Sequence, residues 1–508
     1  MIESTMSASR HWDQEADVVV VGYGGAGAAV AITAHDEGST VLILEKLPAD
    51  TPTITRHTPN TRMSAGAWIS ATDETGAASH FEAMAKLAHE TLDEERKEVI
   101  RVLAHNLNEN EPWMRKLGME WVDSGPLVEL DYPELPGSEF LIVHHAKPSG
   151  AWRGGPAIFK KLTENVVQRG ITVCWETPAL KLIYEAGEVR GVLCVNAGKQ
   201  ISIKARKAVV LTCGGFEFNP WMKENYLRAG PVYFRGNRAN TGDGITMALQ
   251  VGAALWHMNC TSWRAVLKTE DLAFAFPQEP ASDVIVDKRG SRFANEKYRG
   301  HAFGYDLIGF NSGTLKYPRI PCYWIFDNQR IKIGALAEIY AHCNPPGGVS
   351  GPDFYEWSKD NEAELDKGWI LKANTLGELA RIIANDPDNE GMMTSEVLEE
   401  TVNKYNQYCR TGNDPEFGRP KDTLVPFSEA PFYAVKLWPG STSTQGGPKR
   451  NTKCQVLRPD NSPIPRLYSA GELGSFWGML TENGAGLGEA FVSGRIAGAN
   501  SVLESRWG

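Results

Sequence analysis

The chain has no run of about 18 apolar residues, the length a membrane-crossing helix needs, so no membrane span is expected. Its first residues, MIESTMSASRHWDQEAD, lack the apolar core of a secretory signal and a twin-arginine pair. They read as a short disordered lead-in, and a cytoplasmic protein is expected. No cysteines are spaced CxxC. The eight, Cys174, Cys194, Cys213, Cys260, Cys322, Cys343, Cys409 and Cys454, are scattered. Reduced, buried thiols follow, with neither a disulfide framework nor a metal site. Positive charge is not in excess. The formal net charge is -10, which argues against a nucleic-acid partner. No internal repeat or low-complexity tract is visible.

What is present is ordinary globular material. Hydrophobic residues make up 42% and charged residues 22% of 508, enough for about two to four compact units with ample core. Residues 17–21, DVVVV, form a short apolar run of β-branched residues, which suits a buried parallel strand. GYGGAG follows, then the helical stretch AAVAITAHDEG and a second strand, TVLILE. This is a βαβ unit. Residues 48–78 are looser, and helical patterns run from about 80 to 117 and over 154–170. Strand-like pieces follow, ITVCWET, ALKLIYEAGEVRGVLCV and ISIKARKAVVLTC, with EAGE as a hairpin tip. A helix is expected over 241–255 and a closing helix over about 484–503. The segment 261–430, rich in aromatics and with an acidic helical part at 376–408, reads as a second domain.

Gly22, Gly24 and Gly27 make G-x-G-x-x-G after a strand and at the opening of a helix, and Glu45 ends the second strand. In this fingerprint the first glycine permits the tight turn. The second lets a pyrophosphate approach the helix N-terminus, and the third lets the helix pack on the strand. The Glu45 carboxylate suits the two ribose hydroxyls. No second complete fingerprint with its own acidic partner appears. The remaining glycine-rich segments, CGGF, GSTSTQGGPKRNT, SAGELGSFWG and TENGAGLGEAF, are spread over the last 300 residues. One long dinucleotide, FAD, fits such distant segments better than NAD.

The ordered set DVVVVGYGGAG…LILEK, NTRMSAGAW, VVLTCGGF, TGDGITMAL, RGSRFANE and LYSAGELGSFWG…GAGLGEAFVSGRIAG resembles the fumarate reductase/succinate dehydrogenase flavoprotein superfamily over residues 15–503. Within it the chain looks more like the 3-ketosteroid dehydrogenase branch, including the opening at Trp12 and Asp13. The resemblance implies an α/β, Rossmann-like FAD-binding domain, 14–260 and 431–508, with an inserted α+β cap or substrate domain, 261–430.

The resemblance also implies cofactor contacts. Around the fingerprint these are Gly25, Ala26 and Lys46, and along the flavin side Asn60, Thr61, Met63, Ser64, Ala65 and Gly66. Ala179 follows, then Cys213 with the pair Gly214 and Gly215. Asn240 comes next, with Thr241 and Asp243 of TGDG. Gly471 and Glu472 lie near the ribityl or pyrophosphate region. Gly486 and Leu487, with Gly488, open the last helix. The histidine that links flavin covalently in succinate dehydrogenases would fall near Asn60 or Thr61, and His57 lies too early, so non-covalent FAD is expected.

Dicarboxylate reductases of the superfamily hold substrate carboxylates with an arginine before the last helix and a histidine before the later Gly-Gly pair. The corresponding places here are Thr481 and Ser443, both uncharged. The substrate contacts implied are Ser443, Thr444, Thr481, Asn483 and Gly484. Those reductases donate a proton from an arginine five residues after the Asn of their NE motif, where ketosteroid dehydrogenases have a tyrosine. Counting from Asn295 gives Gly300, flanked by Tyr298, Arg299 and His301. Tyr298 and His301 are the two candidates, with a lean to Tyr298.

The tyrosine pair of ketosteroid dehydrogenases is incomplete, since GMLTENGAG holds none. The chemistry implied is desaturation, or its reverse, of a C–C bond next to a ketone, with hydride passing between substrate Cβ and flavin N5. The partner is a small carbonyl compound, with an electron donor or acceptor not identified. A fumarate-reductase-like reductase of unsaturated acids and a flavoprotein subunit of an electron-transfer complex are the alternatives.

Overall fold

The computed structural model describes residues 11–49, 59–126, 129–147, 154–269, 272–275, 279–297, 301–337, 355 and 357–507. The chain divides into two compact units. The first comprises Met1–Met222, Ala239–Cys260 and Thr444–Gly508, and the second Lys223–Arg238 and Thr261–Ser443.

The first unit is built on a sheet whose strand order is Gln455–Leu457, Pro463–Ser469, Lys199–Leu211, Gln14–Val21, Val41–Leu44 and Thr172–Cys174. Gln14–Val21 lies parallel to Val41–Leu44 on one side and to Lys199–Leu211 on the other. Both faces of such a sheet are covered, which is why these strands read as continuous apolar runs rather than alternating ones. Val18, Val19 and Val20 are fully buried. The hairpin of Ala179–Glu185 with Glu188–Asn196 pairs onto Lys199–Leu211. Its tip is Ala186-Gly187, both at positive φ (53° and 84°), the geometry of a tight two-residue hairpin turn.

The helix Gly25–Asp36 packs against the closing helix Ala485–Ser501. Small residues allow the approach: a Cβ on Gly494 would lie 2.6 Å from Ala29 Cβ. The helical stretch expected over 80–117 is three helices, Glu74–Leu87, Glu94–Asn108 and Asn110–Lys116. Asp93 makes the first break, its side chain capping the second helix by accepting from Arg96 N. A smaller sheet joins Ala67–Ala71, Leu141–Ala146 and Trp121–Pro126.

The second unit has its own sheet. Phe432–Thr444 is its centre, paired with Cys322–Asp327 and flanked by Thr261–Thr269, and Asp283–Val286 lies beyond. One core holds Trp324, Phe326, Trp357 and Phe274; another, under the helices Leu376–Ala384 and Ser395–Thr411, holds Tyr323, Ile325, Leu379 and Tyr405. Two segments fall on the other side of the expected divisions: 223–238 and 431–443 group with the second unit. The reason is a pairing with no local signature, Tyr233 with Gly440 and Phe234 with Ser441.

Candidate functional site

The fingerprint turn forms where three parallel strands end. Gly22 has φ +106°, and a Cβ there would lie 2.5 Å from Thr212 O. A Cβ on Gly27 would collide with Gly22 O and lie 2.9 Å from Thr212 Oγ1. Only glycine fits both places. Gly24 differs, because its nearest neighbour would be Pro59 Cβ at 3.6 Å. It caps the helix without a side-chain bond and leaves backbone open to an approaching anion. Thr61 Oγ1 accepts the Gly25 N–H at 2.9 Å.

At the end of Val41–Leu44, Glu45 Oε2 accepts from Tyr23 N at 2.8 Å and Oε1 from Leu47 N at 2.9 Å. Burial pushes this carboxyl up, opposed by those two N–H groups and the Lys46 charge. Lys46 Nζ reaches Asp243 Oδ2 at 2.6 Å and Thr241 Oγ1 at 3.1 Å. So Lys46, Thr241 and Asp243 form one group. Ala179 starts its strand two residues after Thr177, whose N–H donates to Glu45 O at 2.8 Å.

The second cluster gathers around the glycine pair. Gly214 (φ +71°) backs onto Asn240, while Gly215 N donates to Glu472 Oε1 at 3.1 Å. Glu472 Oε2 accepts from Asn60 Nδ2 at 3.2 Å, and Asn240 Nδ2 lies 3.5 Å from Oε1. Thr444 Oγ1 accepts from Phe216 N at 3.1 Å. Burial and the neighbouring Glu217 hold the Glu472 carboxyl well above the usual range. Burial, with a smaller contribution from Asp243, pushes the Cys213 thiol up to about 12, which keeps it unreactive.

Ser64 Oγ donates to Thr61 O at 2.7 Å and accepts from Gly66 N at 3.1 Å, shaping the turn after the short helix Asn60–Met63. Met63 is buried, and Ala65 O accepts from Gly154 N at 3.0 Å. Gly471, at φ +74°, packs on Ala26. Gly484 caps the closing helix with φ +77°, beside Trp68. Gly486 has open space where a side chain would stand, and Leu487 follows it in the first turn. Before that helix, Thr481 is buried, and Asn483 Nδ2 lies 3.5 Å from Glu129 Oε2. Glu482 is held hard: Oε1 meets His80 Nε2 at 2.8 Å and Tyr132 N at 3.2 Å, and Oε2 accepts from Asp131 N at 2.6 Å.

In the second unit, Ser443 Oγ and Ser262 Oγ are 3.2 Å apart. Glu296, beside Asn295, is locked by Arg292 at 2.6 and 2.8 Å. His301 is nearly buried, and its Nε2 lies 2.9 Å from Arg264 NH2. Tyr298, Arg299 and the intervening count position Gly300 lie outside the described residues, as does His57. Three residues escaped sequence reasoning: Glu217, Glu482 and Thr212, whose Oγ1 donates to Gly22 O at 2.8 Å. The signal available for Glu217 was an acidic residue directly after the Gly-Gly-Phe that ends a buried strand.

A family model described as FAD binding domain matches residues 17–487. The chain belongs to that family. Its cofactor is FAD, and the family is one of oxidoreductases with both dehydrogenase and reductase relatives. Among relatives, NADH:fumarate oxidoreductase of Klebsiella pneumoniae is 27% identical over 494 residues, covering 96% of this chain and 48% of that protein. The 3-oxosteroid 1-dehydrogenase of Mycolicibacterium smegmatis is 30% identical over 373 residues, 68% of this chain and 61% of that one. This chain therefore spans about half the length of the first and three-fifths of the second. The fold matches crystalline 3-ketosteroid delta1-dehydrogenase from Sterolibacterium denitrificans with TM-score 0.79 at 21% identity, covering 96% of this chain and all of that one. The open backbone at Gly24 and Gly486, and the uncapped helix N-termini beside them, suit FAD. No described helix is long and apolar enough to cross a membrane.

Proposed function

We propose that the protein desaturates or reduces a C–C bond next to a carbonyl, on an uncharged ketone rather than a dicarboxylate. The observation that supports this most is the loop before the closing helix. Its side chains are Thr481, Glu482 and Asn483, and the ionisable one is an acid already engaged by His80 and two backbone N–H groups. A substrate carboxylate there would lose its water without gaining a cation from this loop. When bound, FAD supplies the acceptor or donor of hydride. The chain's own residues bind and orient. The Gly24 and Glu45 turn takes the adenosine and phosphate end, and Gly215, Asn60 and Glu472 the ribityl end. The backbone N–H groups that open the closing helix and the hydroxyls of Ser443 and Thr444 steady charge on a substrate carbonyl oxygen. Tyr298 or His301 moves the α-proton, and the second unit serves as the cap.

A reductase of unsaturated acids is the second reading. The feature that favours it is Arg264, a cation hydrogen-bonded to His301.

Anaerobic mixing of the FAD-loaded protein with saturated cyclic ketones, and separately with succinate, decides between them. Loss of the oxidised flavin absorbance with a ketone alone is the expected result. Loss with succinate alone would establish the second reading.

A further inference from the structure

Glu217 has no assigned role, yet it is the most enclosed acid of the first unit's cofactor cluster. Its side chain is fully buried. Oε1 accepts from Thr444 N at 3.1 Å, and Oε2 is buried with no donor. Glu472, also deeply placed, accepts from Gly215 N, Asn60 Nδ2 and Asn240 Nδ2. The two carboxyls converge on one point: a Cβ built on Gly215 would lie 2.8 Å from Glu472 Oε1 and 3.0 Å from Glu217 Oε1. Those two oxygens are therefore no farther apart than the sum of the two distances.

Two ionised carboxylates are acceptors only, so a hydrogen bond between them would require a proton. Among the described residues, the groups that donate hydrogen bonds to the pair are neutral. They are Asn60 from the helix Asn60–Met63, Gly215 N from the glycine turn, Asn240 from the segment before Asp243–Gln250, and Thr444. The charged neighbours Glu45, Lys46 and Asp243 act on Cys213, four residues earlier. A doubly ionised pair is disfavoured twice, by burial and by its own repulsion. Burial raises both carboxyls, and the Glu217 charge raises Glu472 further.

We propose that Glu217 is a positioning residue that shares one proton with Glu472, and that the affinity of the protein for FAD depends on that proton. The inference rests on the reading of Glu472 as a cofactor contact. With the proton, the pair carries one negative charge and Glu472 keeps its hold on Asn60 and Gly215. Without it, the pair carries two, and FAD, itself an anion through its pyrophosphate, meets an extra like charge. The sign follows by linkage. The form that binds FAD holds the proton, so affinity falls as pH rises through the pair's upper step. For one proton the dissociation constant rises by up to about tenfold per pH unit above that step.

The test uses the full chain stripped of FAD and titrated with FAD by flavin fluorescence from pH 6 to about 10, as wild type and as Glu217→Gln. An amide at 217 still donates to Glu472 but has no proton to lose. The expected result is an alkaline rise in the wild-type dissociation constant that is absent from Glu217→Gln. A purely structural role would instead weaken binding equally at every pH, and that outcome overturns the proposal. Infrared spectra of the stripped wild-type chain at pH 7 give a readout that needs no variant. A protonated-carboxyl C=O band that disappears on alkaline titration supports the shared proton, and its absence overturns it. A band present together with pH-independent FAD affinity would overturn the coupling to FAD, and with it the placement of Glu472 against the cofactor, while leaving the carboxyl pair intact.

Discussion

The backbone N–H of Gly215 donates to Glu472 Oε1 at 3.1 Å, joining two loops 257 residues apart in sequence. A side chain at 215 cannot coexist with this contact. A Cβ there would overlap Thr444 Oγ1 and lie 2.8 Å from the Glu472 carboxylate. This is why the glycine pair follows the strand Lys199–Leu211, far from the N-terminal fingerprint. Gly215→Ala is expected to fold with a strained cluster, at a cost of about 1–3 kcal/mol, and to be purified with much less FAD. The ratio of flavin to protein absorbance measures this. Full FAD content in the variant would show that the two loops do not meet around the cofactor.

Glu45 makes a second test. Its carboxylate already takes the N–H groups of Tyr23 and Leu47, and as an anion it has lone pairs left for ribose hydroxyls. Glu45→Gln puts an amide NH2 against one backbone N–H and removes charge-assisted bonds of about 1.5–3 kcal/mol each. FAD affinity of the stripped protein, followed by fluorescence, is expected to fall by at least tenfold. The resemblance puts a covalently linking histidine near Asn60 or Thr61, and neither is a histidine, so acid precipitation is expected to release all the yellow colour. Flavin retained in the pellet would refute non-covalent binding.

Much of this site was legible because local chemistry and global position agree. The unit from Gln14 to Glu45 announces itself through β-branched strand residues and three spaced glycines, of which Gly22 and Gly27 have a steric reason visible in the structure and Gly24 leaves open backbone. The hairpin tip at Ala186-Gly187 and the closing helix from Ala485 carried equally local signals. Other features had none. The helical pattern expected over about 80 to 117 is three helices, and the first division rests on one capping residue, Asp93. Nothing near Tyr233 points to Gly440, because strand pairing across two hundred residues leaves no local trace. Glu217 reads in sequence like any acid beside a helix. Its importance comes from burial among neutral groups contributed by three distant segments.

Stability in acid should depend on Asp17. Burial pushes this carboxyl up, but hydrogen bonds from Arg506 and Thr40 and the charge of Arg206 outweigh it and bring it down to about 2. Arg506 Nε and NH2 reach it at 2.7 and 2.8 Å. A folded-state value below the unfolded 3.8 means that the stabilisation is complete above about pH 4 and is lost as pH falls towards 2. Its size is about 2 kcal/mol. Urea unfolding at pH 7 and at pH 3 should show a smaller loss in Asp17→Asn than in wild type. Equal losses in both would assign the acid sensitivity to other groups.

The last prediction concerns the proton. Arg264 can only donate, so His301 Nε2 accepts from it, and the imidazole carries its proton on Nδ1. The atom through which His301 would exchange a substrate proton is therefore Nδ1. Tyr298, three residues earlier, offers a hydroxyl instead. Tyr298→Phe removes one oxygen and little volume, so folding and FAD content should survive. If Tyr298 moves the proton, turnover falls by about 10²–10⁴-fold, the usual contribution of general acid–base catalysis. His301→Ala is the matched variant, and His301→Gln keeps an acceptor for Arg264 while abolishing proton transfer. A large loss in both His301 variants with Tyr298→Phe unaffected assigns the proton to His301. A loss in His301→Ala that Gln restores would mean that His301 only holds Arg264 in place. Normal turnover in all three, with the yellow colour intact, would place the proton-moving group outside the segment that follows Asn295.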